Sequence, residues 1–298
     1  GNTAMLYLLT GRNPESLSHA PFQADTLFDT DTALLDMPAY LPPCMNAFVG
    51  ADISCAVLAS GMCKEKTSLL CDIGTNGEMV LGNRHRRIAC STAAGPAFEG
   101  AKISMGMRGS PGAIDHVWIE DGQLRCHTIG DLEARGICGS GLLDLVACLL
   151  DLGFLDESGY LEEKRYCIPG TVVALTQKDI REVQLAKAAI RAGMELMCAQ
   201  LGVRPEEIQS VLLAGAFGNY MDPRSACRIG MIPPALLERI TPIGNAAGEG
   251  AKLCAVNAAA YEYSKKLAAE TEFLELASKP EFQDCFVDAL EFCEEDEE

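Results

Sequence analysis

One stretch limits the folds open to this chain more than any other: Leu69-Leu70-Cys71-Asp72-Ile73-Gly74-Thr75-Asn76-Gly77-Glu78-Met79-Val80-Leu81-Gly82. An apolar run ends at Asp72, a glycine turn follows, and a second apolar run leaves it. That pattern is strand, tight turn, strand. Asn76-Gly77 predicts a two-residue hairpin turn, whose central positions both need φ > 0. Gly74 lets the backbone approach a ligand with no Cβ in the way. Turn amides beside such glycines form a concave anion nest, and Thr75 adds a hydroxyl. Asp72 ends the first strand at that nest, where a carboxylate can hold Mg²⁺ or orient a water. The chemical reading is a cradle for the phosphates of a nucleotide–metal complex. An isolated D-x-G-T is more often an ordinary hairpin whose Asp caps its own turn, so the surroundings have to decide.

Two further glycine-rich turns follow apolar segments. Gly136-Ile137-Cys138-Gly139-Ser140-Gly141 leads into an apolar helix running to about Gly153. Its opening residues, Gly139 and Ser140 among them, offer unpaired N–H groups and a positive dipole end to a phosphate; Ser140 is also placed to act as a plain N-cap. The strand 210–214 runs into Gly215-Ala216-Phe217-Gly218-Asn219. Such a turn presents bare backbone to a purine and ribose, with Asn219 as a polar handle, while Gly215 and Gly218 also suit tight strand–helix packing. Ligands bind at the carboxyl ends of strands in open sheets, so three such turns in this order favour a nucleotide site. Glu99, in the small-residue stretch 93–107, has two readings: a base or metal partner at the phosphate end, or a first-turn helix cap. Neither a P-loop nor a G-x-G-x-x-G fingerprint is present.

The remaining pattern sets the fold class. From Thr67 come three strands, with 87–92 as the third, then a hairpin around Asp121-Gly122. Helix and strand alternate afterwards: a helix from the capping-box pair Thr176 and Asp179 to Gly202, the strand 210–214, a short helix 223–229, a weak strand 239–243 and a long helix from Asn245 to about Leu267. Hairpins followed by alternation predict an α/β protein, a mixed sheet with helices on its faces. Residues 1–66 read as the end of something larger: a short helix over 2–9, a loop-rich stretch 11–43, and a helix over 46–61. The chain starts without Met, in keeping with a fragment. Residues 268–298 read as an acidic, helical tail.

Composition excludes several classes. The formal net charge is −18, which argues against a nucleic-acid backbone as partner. Much of that charge sits in Glu294-Glu295-Asp296-Glu297-Glu298, a run expected to be a solvated tail. No run is long enough for a membrane helix and no secretory leader is visible. The 14 cysteines include no C-x-x-C pair, which points to reduced, mostly buried thiols in a cytoplasmic protein, without zinc or iron–sulfur spacing. His19, His85, His116 and His127 show no ligand spacing and read as ordinary surface or loop residues. Cys71 points away from Asp72, into the core.

With these residues in view, the chain resembles a known family. Asp72 to Glu78 and Gly215-Ala216-Phe217-Gly218-Asn219 resemble the second phosphate motif and the adenosine motif of the ASKHA superfamily, the actin-like ATPases. More narrowly, Gly1-Asn2-Thr3-Ala4-Met5, Ala47-Phe48-Val49-Gly50-Ala51-Asp52, Ser91 to Ala101, Gly136 to Leu142, Leu213 to Tyr220 and Gly244-Asn245-Ala246-Ala247-Gly248 resemble the C-terminal domain of reductive activators of corrinoid proteins. The match runs from residue 1 to about 267. It implies an actin-like, ribonuclease-H-like fold in which residues 67–267 are the second lobe and residues 1–66 a remnant of an incomplete first lobe. It implies ATP and Mg²⁺ as cofactors, with Asp72 and Glu99 as catalytic candidates and Asp72 on the metal. Gly74, Thr75, Asn76, Gly77, Gly139 and Ser140 would contact phosphate, and Gly215, Gly218 and Asn219 would line the adenosine side.

In such activators ATP is coupled to returning an inactive cob(II)alamin protein to the cob(I) state. The corrinoid protein of a methyltransferase system is then the partner, the protein a homodimer, and a two-iron two-sulfur cluster sits in an N-terminal part not visible here. This sequence has no cluster cysteines and no earlier D-x-G-T-T turn, so half of the usual phosphate clamp is absent. Two rival readings follow. One is an interaction module in which a vestigial ASKHA half dimerises and docks a corrinoid protein; the other is a small-molecule kinase of the same superfamily.

Overall fold

The computed structural model describes residues 1–19, 22–34, 36–62 and 64–293. The acidic run Glu294-Glu295-Asp296-Glu297-Glu298 lies outside the described residues. Asn2 accepts a hydrogen bond from the Met5 amide and caps α1 (Thr3–Leu9). The stretch 11–43 is less loop-like than its sequence: β1 (Thr30–Leu34) pairs antiparallel with β2 (Met37–Leu41). Its side chains are mostly exposed, so no buried face marked it in the sequence. α2 (Ala51–Ser60) starts after Gly50 rather than at Asn46, because residues 45–49 fold back so that the Met45 and Asn46 amides reach the Val49 carbonyl. It ends at Gly61, in the left-handed region.

The sheet begins with β3 (Ser68–Ile73), β4 (Gly77–Gly82) and β5 (Arg87–Thr92), an antiparallel meander. β6 (Ala113–Glu120) and β7 (Gln123–Thr128) form the Asp121-Gly122 hairpin, with φ of 50° and 70° at its two central residues. β8 (Gly136–Ile137) pairs parallel with β6 and feeds α3 (Gly139–Asp151). A small hairpin of β9 (Arg165–Cys167) and β10 (Ala174–Thr176) precedes α4 (Gln177–Leu201), which opens on the Thr176–Asp179 capping box and stops at Gly202. Then come β11 (Ser210–Ala214), α5 (Gly215–Tyr220), α6 (Pro223–Arg228) and β12 (Ile240–Gly244). The expected long final helix is two, α7 (Ala246–Val256) and α8 (Ala258–Ala269). Asn257 is extended and its side chain accepts from the Ala259 and Ala260 amides, which restarts the helix.

Six strands form the central sheet in the order β12-β11-β3-β4-β5 and then β13 (Thr271–Phe273). β11 runs parallel to both β3 and β12, and β13 parallel to β5. The sheet is therefore mixed, with helices on both faces, as expected for an ASKHA-type lobe. Alternation assigns the faces. Leu69, Cys71, Met79, Leu81, Ile88, Cys90, Val211 and Leu213 pack into one core with α3 and α4. Leu70, Val80, Ala89 and Ala214 pack into the other with α2, α7 and α8. α3 is buried along its whole length from Gly139 to Leu150, which explains its nearly all-apolar sequence. Gly193 brings α4 against the sheet; a Cβ there would lie 2.7 Å from Met79 Cε. No helix among the described residues is long and apolar enough to cross a membrane.

The expectation of a separate helical tail from 268 does not hold for the described residues. β13 completes the sheet edge, and α9 (Pro280–Asp288) packs on α4. Phe292 is buried, and the Phe292 amide donates to the Glu157 carbonyl. Buried Lys187 donates to the Glu291 carbonyl, and Gln184 to that of Leu290. Acidic composition hid these backbone and aromatic attachments.

Candidate functional site

The strand register creates the site. Asp72 and Ala214, the ends of adjacent parallel strands, are direct partners. After Ala214 the chain turns at Gly215 with φ of 80°. A Cβ on Gly215 would lie 2.5 Å from Asp72 Oδ1, so the Asp72 carboxylate occupies the space a side chain would need. On the other flank, Thr75 Oγ1 donates to Glu99 Oε1 at 2.9 Å. Gly74 stays bare beside that carboxylate, with its Cβ position 3.3 Å from Glu99 Oε1. α3 enters at Gly139, where a Cβ would meet the Phe98 carbonyl oxygen at 1.9 Å and the Phe217 ring at 3.0 Å. The Phe98 and Phe217 rings stack with centroids 5.0 Å apart and planes 10° from parallel. Together these elements enclose a cleft of about 490 Å³.

Asp72, Gly74, Glu99, Gly139 and Ser140 line this cleft, and Thr75 stands at its rim through Glu99. The other expected residues are placed differently. Neither Asn76 nor Gly77 has φ > 0, so the turn is not the predicted two-residue type. The loop is 74–76, closed by the Gly74 amide on the Asn76 carbonyl. Gly77 lies inside β4, and its missing Cβ makes room for Thr92 Oγ1 and Ile190. The Asn76 side chain hydrogen-bonds to Glu78. Ser140 is not the N-cap; Cys138 is, and the Ser140 hydroxyl donates to the Asp115 carbonyl at 2.8 Å. Residues 215–219 form the first turn of α5 rather than a loop. Gly218 is buried against Leu213, while Asn219 is exposed beside Gly244.

Electrostatics distinguish the two carboxylates of the β3–β4 hairpin. Burial, then the Asp52 charge, pushes Asp72 up to about 6. Burial, Asp52 and Asp72 together push Glu78 up to about 7. No turn amide among the described residues hydrogen-bonds to the Asp72 carboxylate, so Asp72 does not cap its own turn. Cys71 is fully buried, with its thiol pushed up to about 12 by burial. No group of three or more His, Cys, Asp or Glu among the described residues is arranged to hold a metal ion. Asp72 and Glu99, the carboxylates that line the cleft, suit a cation that arrives with phosphates and keeps several waters.

Three features were not read from the sequence. Arg108 lines the cleft, one residue past the small-residue stretch singled out for Glu99. Phe98 and Phe217 sit inside the motifs, where only their glycine neighbours carried a signal. His116 is no ordinary surface residue: its Nδ1 lies 2.5 Å from the buried Asp144 Oδ2. Asp144 also accepts from the Ser225 hydroxyl and the Val117 amide, tying the β6–β7 hairpin to α3 and α6. Only the fold brings these together; no sequence spacing does.

Comparison with known proteins follows the same division. Residues 66–298 match the family described as the C-terminal domain of RACo, the ASKHA domain, and residues 1–65 match the RACo middle region. The first of these matches extends past residue 267, where the sequence resemblance was expected to end. Corrinoid activation enzyme RamQ of Eubacterium limosum is 34% identical, the match covering 96% of this chain and 54% of that protein. The Co(II) methylated amine-specific corrinoid protein reductase of Methanosarcina barkeri is 31% identical, over 75% of this chain and 45% of its own. The solved structure of a reductive activator for corrinoid, iron–sulfur protein superposes with a TM-score of 0.89 at 32% identity, covering 98% of this chain and 51% of that one. The chain thus spans about half the length of the relatives it matches.

Proposed function

Because the chain belongs to the family of the C-terminal ASKHA domain of RACo, we propose that it is the ATP-binding part of a reductive activator, one that returns an inactive cob(II)alamin protein to the cob(I) state. The observation that carries this reading is the Asp72–Ala214 register. It brings the end of β3, with the 74–76 loop that follows it, beside the Gly215 turn at one edge of the cleft.

In this reading Gly74 and Thr75 approach the phosphates with backbone amides, and the α3 opening at Gly139 and Ser140 adds its N–H groups and dipole. Asn76 and Gly77 shape the turn. Asp72 holds Mg²⁺ or its water, and the ion supplies charge neutralisation at the phosphates. Glu99, oriented by Thr75, aligns a water or the ion. Gly215 and Asn219 face the adenosine side, and Gly218 packs α5 against β11. Residues 1–66 serve as the remnant of a first lobe and its linking helix. The corrinoid protein of a methyltransferase system, a homodimeric, cytoplasmic setting and a two-iron two-sulfur electron donor outside these residues belong to the same proposal.

The test is spectroscopic. Cob(II)-to-cob(I) conversion of a corrinoid protein is followed with a reductant, with and without Mg²⁺–ATP. Conversion that depends on ATP is expected. Conversion of equal rate and extent without nucleotide would remove the ATP-binding role and favour the docking module.

A further inference from the structure

The cleft holds a cation that the ATP reading above leaves unused. Arg108 lines it together with Asp72, Glu99 and Gly139. Backbone contacts fix where Arg108 starts. The Met107 amide donates to the Ile137 carbonyl at 2.9 Å, and the Ile137 amide to the Met105 carbonyl at 2.9 Å. Gly106 and Ile137 form a parallel bridge. Two residues beyond this bridge Arg108 lines the cleft together with Gly139, where α3 begins. From the other side Gly100 presses on Met107: a Cβ on Gly100 would lie 2.6 Å from the Met107 carbonyl oxygen. Gly100 follows Glu99, so the Arg108 backbone is tied to the Glu99–Thr75 flank of the cleft. The Ser110 hydroxyl holds the Arg108 carbonyl at 3.2 Å.

Among the described residues the Arg108 guanidinium makes no ion pair and no side-chain hydrogen bond. The nearby Glu99 carboxylate is engaged by Thr75. A guanidinium beside the positive end of a 13-residue helix is mutually repulsive unless an anion lies between them. A planar fork is also the donor best matched to two phosphate oxygens at once.

We propose that Arg108 is the specificity-determining residue of this cleft: it pairs with the terminal phosphate of a nucleoside triphosphate and sets the preference for triphosphate over diphosphate. This rests on the ATP reading. The position supports the terminal rather than an inner phosphate, because the Gly100–Met107 contact ties the Arg108 backbone to the Glu99–Thr75 flank, whereas Asn219, beside Gly244, does not line the cleft.

Phosphorus NMR titration of the full chain with Mg²⁺–ATP and with Mg²⁺–ADP tests the proposal, because it reads each phosphate separately and tolerates weak binding. In the wild type the γ-phosphate resonance should shift to saturation. R108A should lose about tenfold in ATP affinity and at most about threefold in ADP affinity, with R108K in between, since a point charge replaces the fork. Arg108 is exposed, and melting curves of both variants are expected to match the wild type. Equal losses for ATP and ADP, or no loss for either, would overturn the role of Arg108 while leaving the nucleotide site standing. A wild-type chain that binds neither nucleotide would overturn the ATP reading and the role of Arg108 together.

Discussion

Asp72 and Glu78 stand directly opposite each other in the β3–β4 register, two carboxylates on one face of a hairpin with Asp52 close by. Like charges paired across strands destabilise a sheet. Both groups hold their protons chiefly because burial disfavours their charge, with the Asp52 charge adding to each and the Asp72 charge adding at Glu78: Asp72 is pushed up to about 6 and Glu78 to about 7. The folded state therefore binds protons more tightly than the unfolded chain. Stability from this pair is full below the unfolded values, 3.8 for Asp72 and 4.5 for Glu78, and is lost as pH rises to about 7. Glu78→Gln should relieve the pair at high pH by on the order of 1–3 kcal/mol. Its melting temperature relative to wild type should climb from about pH 5 to about pH 8. A difference that stays flat or falls over that range would show that the Glu78 charge is not penalised in the folded state.

Asp72→Asn separates chemistry from architecture. Asp72 caps nothing, and burial already disfavours its charge. The substitution is expected to leave the melting temperature unchanged or slightly raised near pH 8, with a cost under about 1 kcal/mol at lower pH. In the complete activator proposed above, the substitution should abolish ATP-stimulated corrinoid reduction, since a Mg²⁺ ion or water held by Asp72 would lose a full negative charge. Both measurements belong on one preparation. Normal reduction with a depressed melting temperature would make Asp72 structural.

Gly215→Ala tests the crowding between β11 and β3. The new methyl would sit 2.5 Å from Asp72 Oδ1, at a residue whose φ is already 80°. The strain and the displaced carboxylate should cost about 1–3 kcal/mol and weaken Mg²⁺–ATP binding in parallel. Calorimetric unfolding and nucleotide titration should move together. Full stability and full binding would mean that the Asp72 carboxylate swings aside freely.

Nucleotide binding by these 298 residues should be weak, with a Kd of about a millimolar. They contain one D-x-G-T turn, at Asp72 to Thr75. The cleft it helps to form offers a single cation, Arg108, among its lining residues. Isothermal titration with Mg²⁺–ATP measures this directly. Nanomolar binding would show that one turn and the α3 amides suffice.

Much of this was legible in the sequence because its signals are local. The strands 87–92 and 210–214, the Asp121-Gly122 turn and the Thr176 capping box are set by neighbours within a few residues. The convergence of Asp72 with Gly215 could be expected from the rule that ligands sit at strand ends, but needed the β3–β11 pairing to become a distance. Gly77 misled because glycine is read first as a turn residue, whereas here it yields space to Thr92 at the end of β5 and to Ile190 in the middle of α4. Arg108 and His116 escaped for the same reason: the backbone before Arg108 is held by Ile137, and His116 by Asp144, residues far along the chain.

The parallel pairing of Thr271–Phe273 with β5 has a practical consequence. It is the last strand of the central sheet, and it covers hydrogen-bonding groups of Arg87 to Ala89 that would otherwise face solvent. A shortened chain ending near residue 267 would carry a bare edge beside the apolar Ile88 and Ala89, a ready template for another copy's strand. Such a protein would fail through self-association before any loss of the cleft at Asp72, and its precipitation would be mistaken for a defect of the site.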